Sequence, residues 1–262
     1  MRLDDALRDA RAARRPSLVL YLLVDRARRD RVSGIARAAR DGGAAAIELG
    51  FPFSEPIADG PELAAAHARS LAHGTGWPDL LDALRVVSRI LPTAVMTYAN
   101  PLVRRGLDRA IDEISGAGAT GLIVPDLSLE ESPPYRAAAR AHAVSLVLLA
   151  APGISTERLS RIARASRGFL YLVGHYGTTG GAARGATVDL RPSVAAAHAV
   201  APGLPVLIGF GVRDVVSTRR TLATGADGVV VGSAFERRIN RTATTSSVAR
   251  FVRSIAAARA ST

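Results

Sequence analysis

The chain has 262 residues, 48% hydrophobic and 22% charged, enough for one large α/β domain or two small ones with a substantial core. It contains no Cys, and its 34 basic residues are all Arg, which excludes disulfides, thiolate chemistry, a Lys Schiff base and covalently attached pyridoxal phosphate. The net charge of +11 is spread as Arg over nearly every predicted helix and aromatics are only 5%, so a solvated basic surface is expected rather than a nucleic-acid groove.

Residues 1–15 are charged and helical in pattern, with no apolar signal core. Residues 17–24 form an apolar run of strand length, and helical spacing over 32–40 ends at Asp41-Gly42-Gly43. A second apolar run, 44–49, reads as a buried strand that delivers Glu48 at its end. The following loop is shaped by Pro52, Pro56, Gly60 and Pro61 and carries a second carboxylate, Asp59. Residues 61–73 read as an extra helix with Pro in its first turn, and 78–90 as the next one. Strand three covers 93–98 and ends in Tyr98-Ala99-Asn100-Pro101, with helical spacing over 107–117. Strand four covers 120–125, and Asp126 to Glu131 lead into a helix. Strand five (145–150), a helix (156–165) and strand six (168–173) follow, then a Gly/Thr/Ala-rich loop over 174–186 and a helix from about Pro192. Strands seven (205–209) and eight (228–231) each precede a helix.

No composition break marks a linker, so residues 1–262 are expected to form a single domain. Strand and helix alternate eight times and the strands are continuous apolar runs, as in a parallel sheet covered on both faces. A (β/α)8 TIM barrel with an extra N-terminal helix is predicted, ahead of a doubly wound open sheet. No apolar run approaches the roughly 20 residues of a membrane span. A soluble, cytoplasmic protein is expected. The five His residues are scattered without an i,i+4 pair, so no metal site and no cofactor are expected.

In such barrels the site lies at the carboxyl ends of the strands. Those ends carry Asp25, Glu48, Tyr98 with Asn100, Asp126, Tyr171 with His175, Gly209-Phe210-Gly211 and Gly232-Ser233. Glu48 on a strand end and Asp59 on a constrained loop make an acid/base pair plausible, although spacing alone favours a solvated strand terminus and a turn former. Glycines at strands seven and eight suggest an anion cradle made by the backbone N–H groups of Gly211 and Gly232 and the helix starting at Ser233. The stretch Gly177-Thr178-Thr179-Gly180-Gly181 is a candidate lid over it. Tight turns are the other reading of these glycines.

The string Glu48-Leu-Gly-Phe-Pro-Phe-Ser-Glu-Pro-Ile-Ala-Asp-Gly-Pro61 closely resembles the signature of tryptophan synthase α chains. Tyr98-Ala-Asn-Pro101, Gly177-Thr-Thr-Gly180, Gly209-Phe-Gly211 and Gly232-Ser-Ala234 match further motifs of that family in the same order, so the resemblance spans essentially the whole chain. It implies retro-aldol cleavage of indole-3-glycerol phosphate to indole and glyceraldehyde 3-phosphate. It further implies Glu48 as general acid/base, Asp59 as partner of the indole N–H, and Tyr171 near the reacting carbons. Phosphate would be held at Gly180, Gly211, Gly232 and Ser233, with Leu20, Tyr98, Thr179 and Phe210 completing the substrate-binding set. Apolar neighbours such as Leu20 and Leu49 are expected to raise the pKa of Glu48.

The family's partner is a β chain. Here Val24-Asp25-Arg26 stands for the family's Gly-Asp-Pro, Ser128 follows Asp126-Leu127 where Pro is usual, Gly174-His175 replaces Ser-Arg, and Glu55 replaces Asp. None of these removes a catalytic group, and all lie on the rim. A stand-alone indole-releasing lyase therefore stays open beside the ordinary α subunit, as do a catalytically idle paralogue modulating a β-type partner and another phosphate-binding barrel enzyme.

Overall fold

The structure, a computed structural model, describes residues 1–174, 189–209, 211–241 and 244–258. Eight parallel strands close into a barrel in the order β1 to β8. The first half runs α1 (Leu3–Ala12), β1 (Ser17–Leu23), a 3₁₀ helix (Arg26–Arg31), α2 (Val32–Asp41), β2 (Ala46–Gly50), α3 (Pro61–Ala72), α4 (Trp77–Val87), β3 (Thr93–Met96), α5 (Ala99–Arg105), α6 (Leu107–Gly116) and β4 (Gly121–Ile123). The second half runs α7 (Ser132–Ala141), β5 (Ser145–Ala150), α8 (Thr156–Ala165), β6 (Leu170–Val173), α9 (Arg191–Val200), β7 (Val206–Gly209), α10 (Val215–Leu222), β8 (Gly228–Val231), α11 (Ser233–Arg241) and α12 (Thr245–Ala256).

The predicted alternation and the barrel are both present. Strands five and eight and the helix over 156–165 have the predicted limits, whereas β3, β4 and β6 are shorter than their apolar runs. The reason is that an apolar run marks burial, and burial extends beyond the paired residues at either end, as at Tyr98, Val124 and Phe169. Two short helices fall where only strand ends were expected: the 3₁₀ helix at Arg26–Arg31 and α5, which begins one residue after Tyr98. Asp126 supplies the missing cap of α5, its carboxylate accepting from the backbone N–H of Ala99 at 3.0 Å.

Side chains alternate across the barrel wall. On β1 the residues Leu18, Leu20 and Leu22 pack outward against the helices, while Val19, Tyr21 and Leu23 belong to the interior cluster. That interior cluster includes Ala46, Met96, Ile123, Val147, Tyr171, Leu207 and Val230. The extra helix α1 adds Leu3 and Leu7 to it, and α3 adds Leu63 and Ala66. The two extra helices thus complete one interior core, and the α3 end is the end that carries chemistry.

Helix α3 is anchored by Ser70, whose hydroxyl donates to the Val24 carbonyl at 2.7 Å. Helix α11 is anchored by Glu236, which is 1% exposed, pairs with Arg28 at 2.6 Å and accepts from the Leu23 N–H at 3.5 Å. Both tethers converge on the end of β1, so the two helices that frame the mouth are fixed to the same strand. Replacing Leu7, which is fully buried in the interior cluster, by Ala should leave a cavity and cost about 2–5 kcal/mol, read as a lower denaturation midpoint with unchanged m value.

Candidate active site

Glu48 is the third residue of β2 and pairs in register with Tyr21 of β1 and Ala94 of β3. Its neighbours in sequence, Ile47 and Leu49, face the helices, so strand alternation points Glu48 into the barrel. It is 1% exposed, and its Oε2 has no hydrogen-bond partner among the described residues. Desolvation, and then the charge of Asp59, push its pKa from 4.5 up to about 8.

Asp59 reaches the same cavity from the loop between β2 and α3, and is held rather than buried bare. Its Oδ2 accepts from the Tyr98 hydroxyl at 2.9 Å and lies 3.3 Å from Nε2 of His67. The Tyr98 hydroxyl also accepts from the Ala58 N–H at 3.1 Å, which ties this phenol to the loop it orients. Phe53 stacks on the Tyr98 ring at 5.1 Å between centroids, fixing the same loop from the other side. Burial, then the charge of Asp59, raises the pKa of Tyr98, and burial followed by Glu48 and Asp59 does the same for Tyr171; both phenols remain protonated donors.

Glu48, Asp59, Tyr171, Gly211, Gly232 and Ser233 all line one cavity at the carboxyl end of the barrel. Six residues predicted from widely separated stretches therefore meet. Gly211 sits at φ 88°, a left-handed conformation that favours Gly. Ser233 opens α11, and the Gly232 carbonyl accepts from the Phe235 and Glu236 N–H groups, leaving the first amides of the helix without an intrahelical acceptor.

Leu20 is corrected. It is fully buried on the outer face of β1 against the helices and does not line the cavity; Leu49 lies in the same outer layer. The side chain that takes the place expected for Leu20 is its neighbour Tyr21, which lines the cavity beside Glu48. Period-2 alternation, applied to β1 in register with Glu48, would have selected Tyr21. His67 was also missed: it is one of the buried face residues of α3, at helical spacing from Leu63, Ala66 and Ser70. Met96, Leu63, Val212 and Val230 supply apolar walls. Thr179, Gly180 and Phe210, together with His175 and the predicted lid, lie outside the described residues.

A larger cavity, about 400 Å³ against about 30 Å³, lies outside the barrel between the 3₁₀ helix and α4. Its charges are largely paired with one another, Arg26 with Asp79 and Arg85 with Asp82, and it contains neither carboxylate of the pair, so size does not make it the site. Among the described residues no group of three or more Asp, Glu or His is placed to hold a metal ion, and no helix is long and apolar enough to cross a membrane.

A closed (β/α)8 barrel with two inward carboxylates and a glycine-lined helix start at its carboxyl end defines an acid/base enzyme of the TIM-barrel class. The sequence model of the tryptophan synthase alpha chain matches residues 7–260. The alpha chain of Synechococcus sp. (strain CC9902) is 43% identical over 201 residues, covering 75% of this chain and 73% of that one. The alpha chain of Methanopyrus kandleri is 36% identical over 239 residues, 91% and 86% of the two chains. A solved chain of Mycobacterium tuberculosis tryptophan synthase superposes with a TM-score of 0.87 at 33% identity, covering 98% of this chain and 97% of that one. The chain belongs to the tryptophan synthase alpha chain family, and with it to the carbon–carbon lyases.

The burial of Glu48 makes a test that does not depend on activity. The folded chain keeps the Glu48 proton up to about pH 8, whereas the ordinary value is 4.5, so between these values the folded state binds more protons than the unfolded one. Stability then falls as pH rises through that window. The uncharged, nearly isosteric Glu48→Gln should escape this fall, so its melting temperature relative to wild type should climb between about pH 5 and about pH 9, by up to a few kcal/mol of stability. Parallel melting curves for the two proteins across that range would place the Glu48 pKa near its ordinary value instead.

Proposed function

We propose that this chain cleaves indole-3-glycerol phosphate to indole and glyceraldehyde 3-phosphate with Glu48 as the proton-transferring residue. The observation that carries the assignment is a carboxyl group that is buried, unpartnered at Oε2 and pushed up to about pH 8, facing a second carboxylate across the cavity. Protonated at neutral pH, Glu48 delivers its proton to C3 of the indole ring. The ring nitrogen then carries the positive charge, which Asp59 stabilises through the ring N–H. The Glu48 carboxylate so formed takes the proton of the glycerol hydroxyl next to the ring. Its O–H electrons become the aldehyde C=O, the C–C bond breaks, and that electron pair returns to the ring and neutralises the nitrogen. Glu48 ends protonated, ready for the next cycle. Tyr171, a protonated donor beside Glu48, steadies the reacting hydroxyl, and the amides of Gly211, Gly232 and Ser233 hold the phosphate.

The family's alpha chains are named for a multi-chain enzyme, and a β chain docked on the rim is the corresponding partner. A chain acting alone is the second reading, favoured by where the altered rim residues point. Arg26 closes a bidentate pair on Asp79, and Ser128 donates to Glu131 at 2.7 Å while accepting its N–H, so each of these two substitutions finds its partner within this chain. Indole release from indole-3-glycerol phosphate is to be measured with and without the β chain of the same organism. Large stimulation with a stable complex identifies an α subunit, whereas high activity alone and no complex on size exclusion identifies a lyase. Negligible release in both cases would overturn the assignment.

Glu48→Gln should fold and lose at least about a hundredfold in turnover, since an amide cannot carry the proton; activity within about tenfold of wild type would remove Glu48 from the role. Gly232→Ala isolates the phosphate cradle, because a Cβ there meets only Leu63 at 3.7 Å and Tyr21 at 3.9 Å, ordinary contacts. It should raise KM about tenfold with little change in melting temperature, the loss expected when a backbone amide can no longer reach a charged oxygen. An unchanged KM would move the phosphate elsewhere on the rim.

A further inference from the structure

His67 has no role in the reading above, yet its ring is built into the site on both sides. It is 2% exposed on the inner face of α3. Its Nδ1 accepts from the backbone N–H of Phe53 at 3.0 Å, and an imidazole nitrogen that accepts carries no proton. The neutral ring therefore bears its proton on Nε2. Two oxygens lie within reach of that proton: Oδ2 of Asp59 at 3.3 Å and the hydroxyl of Tyr21 at 3.2 Å. The Tyr98 hydroxyl donates to the same Asp59 oxygen. The Tyr98 hydroxyl thus donates to Oδ2 from the end of β3, while the His67 Nε2 lies 3.3 Å from the same oxygen on the α3 side and hydrogen-bonds the Tyr21 hydroxyl.

We propose that His67 is a positioning residue for Asp59, locked as the Nε2–H tautomer by the Phe53 amide, and that it holds Oδ2 so that Oδ1 is presented to the ring N–H of the substrate. The proposal rests on the reading of Asp59 as the partner of that N–H. Phe53 precedes Asp59 in the same loop, so one imidazole fixes both the path of the loop and the rotation of the carboxylate at its end. The Nε2–H also makes the Tyr21 oxygen an acceptor, which turns the phenol's own proton away from His67. With the Tyr98 hydroxyl donating to Oδ2 and the Nε2–H shared between Oδ2 and the Tyr21 oxygen, Oδ1 is left as the stronger acceptor in a desolvated cavity, where a positive charge develops on the ring nitrogen.

The two ring nitrogens can be tested separately. His67→Asn offers an acceptor where Nδ1 stands but no donor at Nε2, and His67→Gln offers a donor at the Nε2 position. His67→Asn should lower kcat by about tenfold, the usual worth of one hydrogen bond to a charged group, with KM for indole-3-glycerol phosphate within about twofold. His67→Gln should restore kcat to within about threefold of wild type by the same measure. In an Asp59→Asn background His67→Asn should cost nothing further, since the group it positions is gone. ¹⁵N NMR of the histidine-labelled wild-type protein should show the His67 ring with Nδ1 bare and Nε2 protonated. Equal loss of rate in His67→Asn and His67→Gln, matched by equal loss of melting temperature, would make His67 a packing residue and overturn the proposal, as would a protonated Nδ1 in the neutral ring. Asp59→Asn turning over at the wild-type rate would overturn the reading of Asp59 itself; Asp59→Asn inactive with His67→Asn fully active would overturn the role of His67 alone.

Discussion

A carboxyl group inside a closed barrel sets the terms for everything around it. An ionised carboxylate without hydrogen-bond donors is too costly to bury, and Glu48 has none at Oε2, so it keeps its proton instead. The wall leaves it no alternative placement: β2 is paired on both sides, and a one-residue slip would put Ile47 and Leu49 into the cavity and Glu48 among the helices. Register therefore fixes the acid. The same closure that buries Glu48 supplies its proton at neutral pH, and no cation is needed to position it.

The two carboxylates of the site differ in how they are solvated. Glu48 sits on a strand among apolar and phenolic side chains, while Asp59 sits on a loop and draws on Tyr98 and His67. The first setting favours a protonated carboxyl group, and the second supplies a hydroxyl donor to one carboxyl oxygen. Pairs of like groups driven apart by their surroundings are how a single cavity runs acid and base steps in turn. The loop between β2 and α3 is held for this by the Phe53–Tyr98 stack and by the Ala58 amide, which donates to the Tyr98 hydroxyl.

Much of this was legible in the sequence, because the strands are uninterrupted apolar runs and the site residues fall at their ends. The eight-fold alternation gave the barrel, and Glu48, Asp59, Tyr171, Gly211, Gly232 and Ser233 were found from strand ends, glycines and the resemblance of the 48–61 string. What failed was facing. Leu20 was placed near Glu48 because hydrophobicity does not say which side of a fully buried strand a residue takes, and both sides of β1 are apolar. Only register, Tyr21 opposite Glu48, settles it. His67 was illegible for a different reason: its partners, Phe53, Asp59 and Tyr21, are brought to it by the turn of the loop and the barrel wall, neither of which has a local sequence signal.

The glycines show how one residue type hides two functions. Those at strands seven and eight were read together as an anion signal, yet Gly209 serves a different purpose. A Cβ at Gly209 would lie 2.1 Å from the Tyr171 hydroxyl, and one at Gly50 would lie 2.3 Å from the hydroxyl of Tyr21. These two glycines are the absent side chains against which the two inward phenols lie, each on the strand next to its tyrosine. At Gly232 a Cβ would make only ordinary contacts, with Leu63 at 3.7 Å and Tyr21 at 3.9 Å. The steric test separates them: a glycine whose missing side chain is already occupied by a neighbour shapes the protein, and one whose missing side chain opens onto the cavity leaves room for a ligand. By that test Gly50 and Gly209 belong to the tyrosines, and Gly232 belongs to the wall of the cavity.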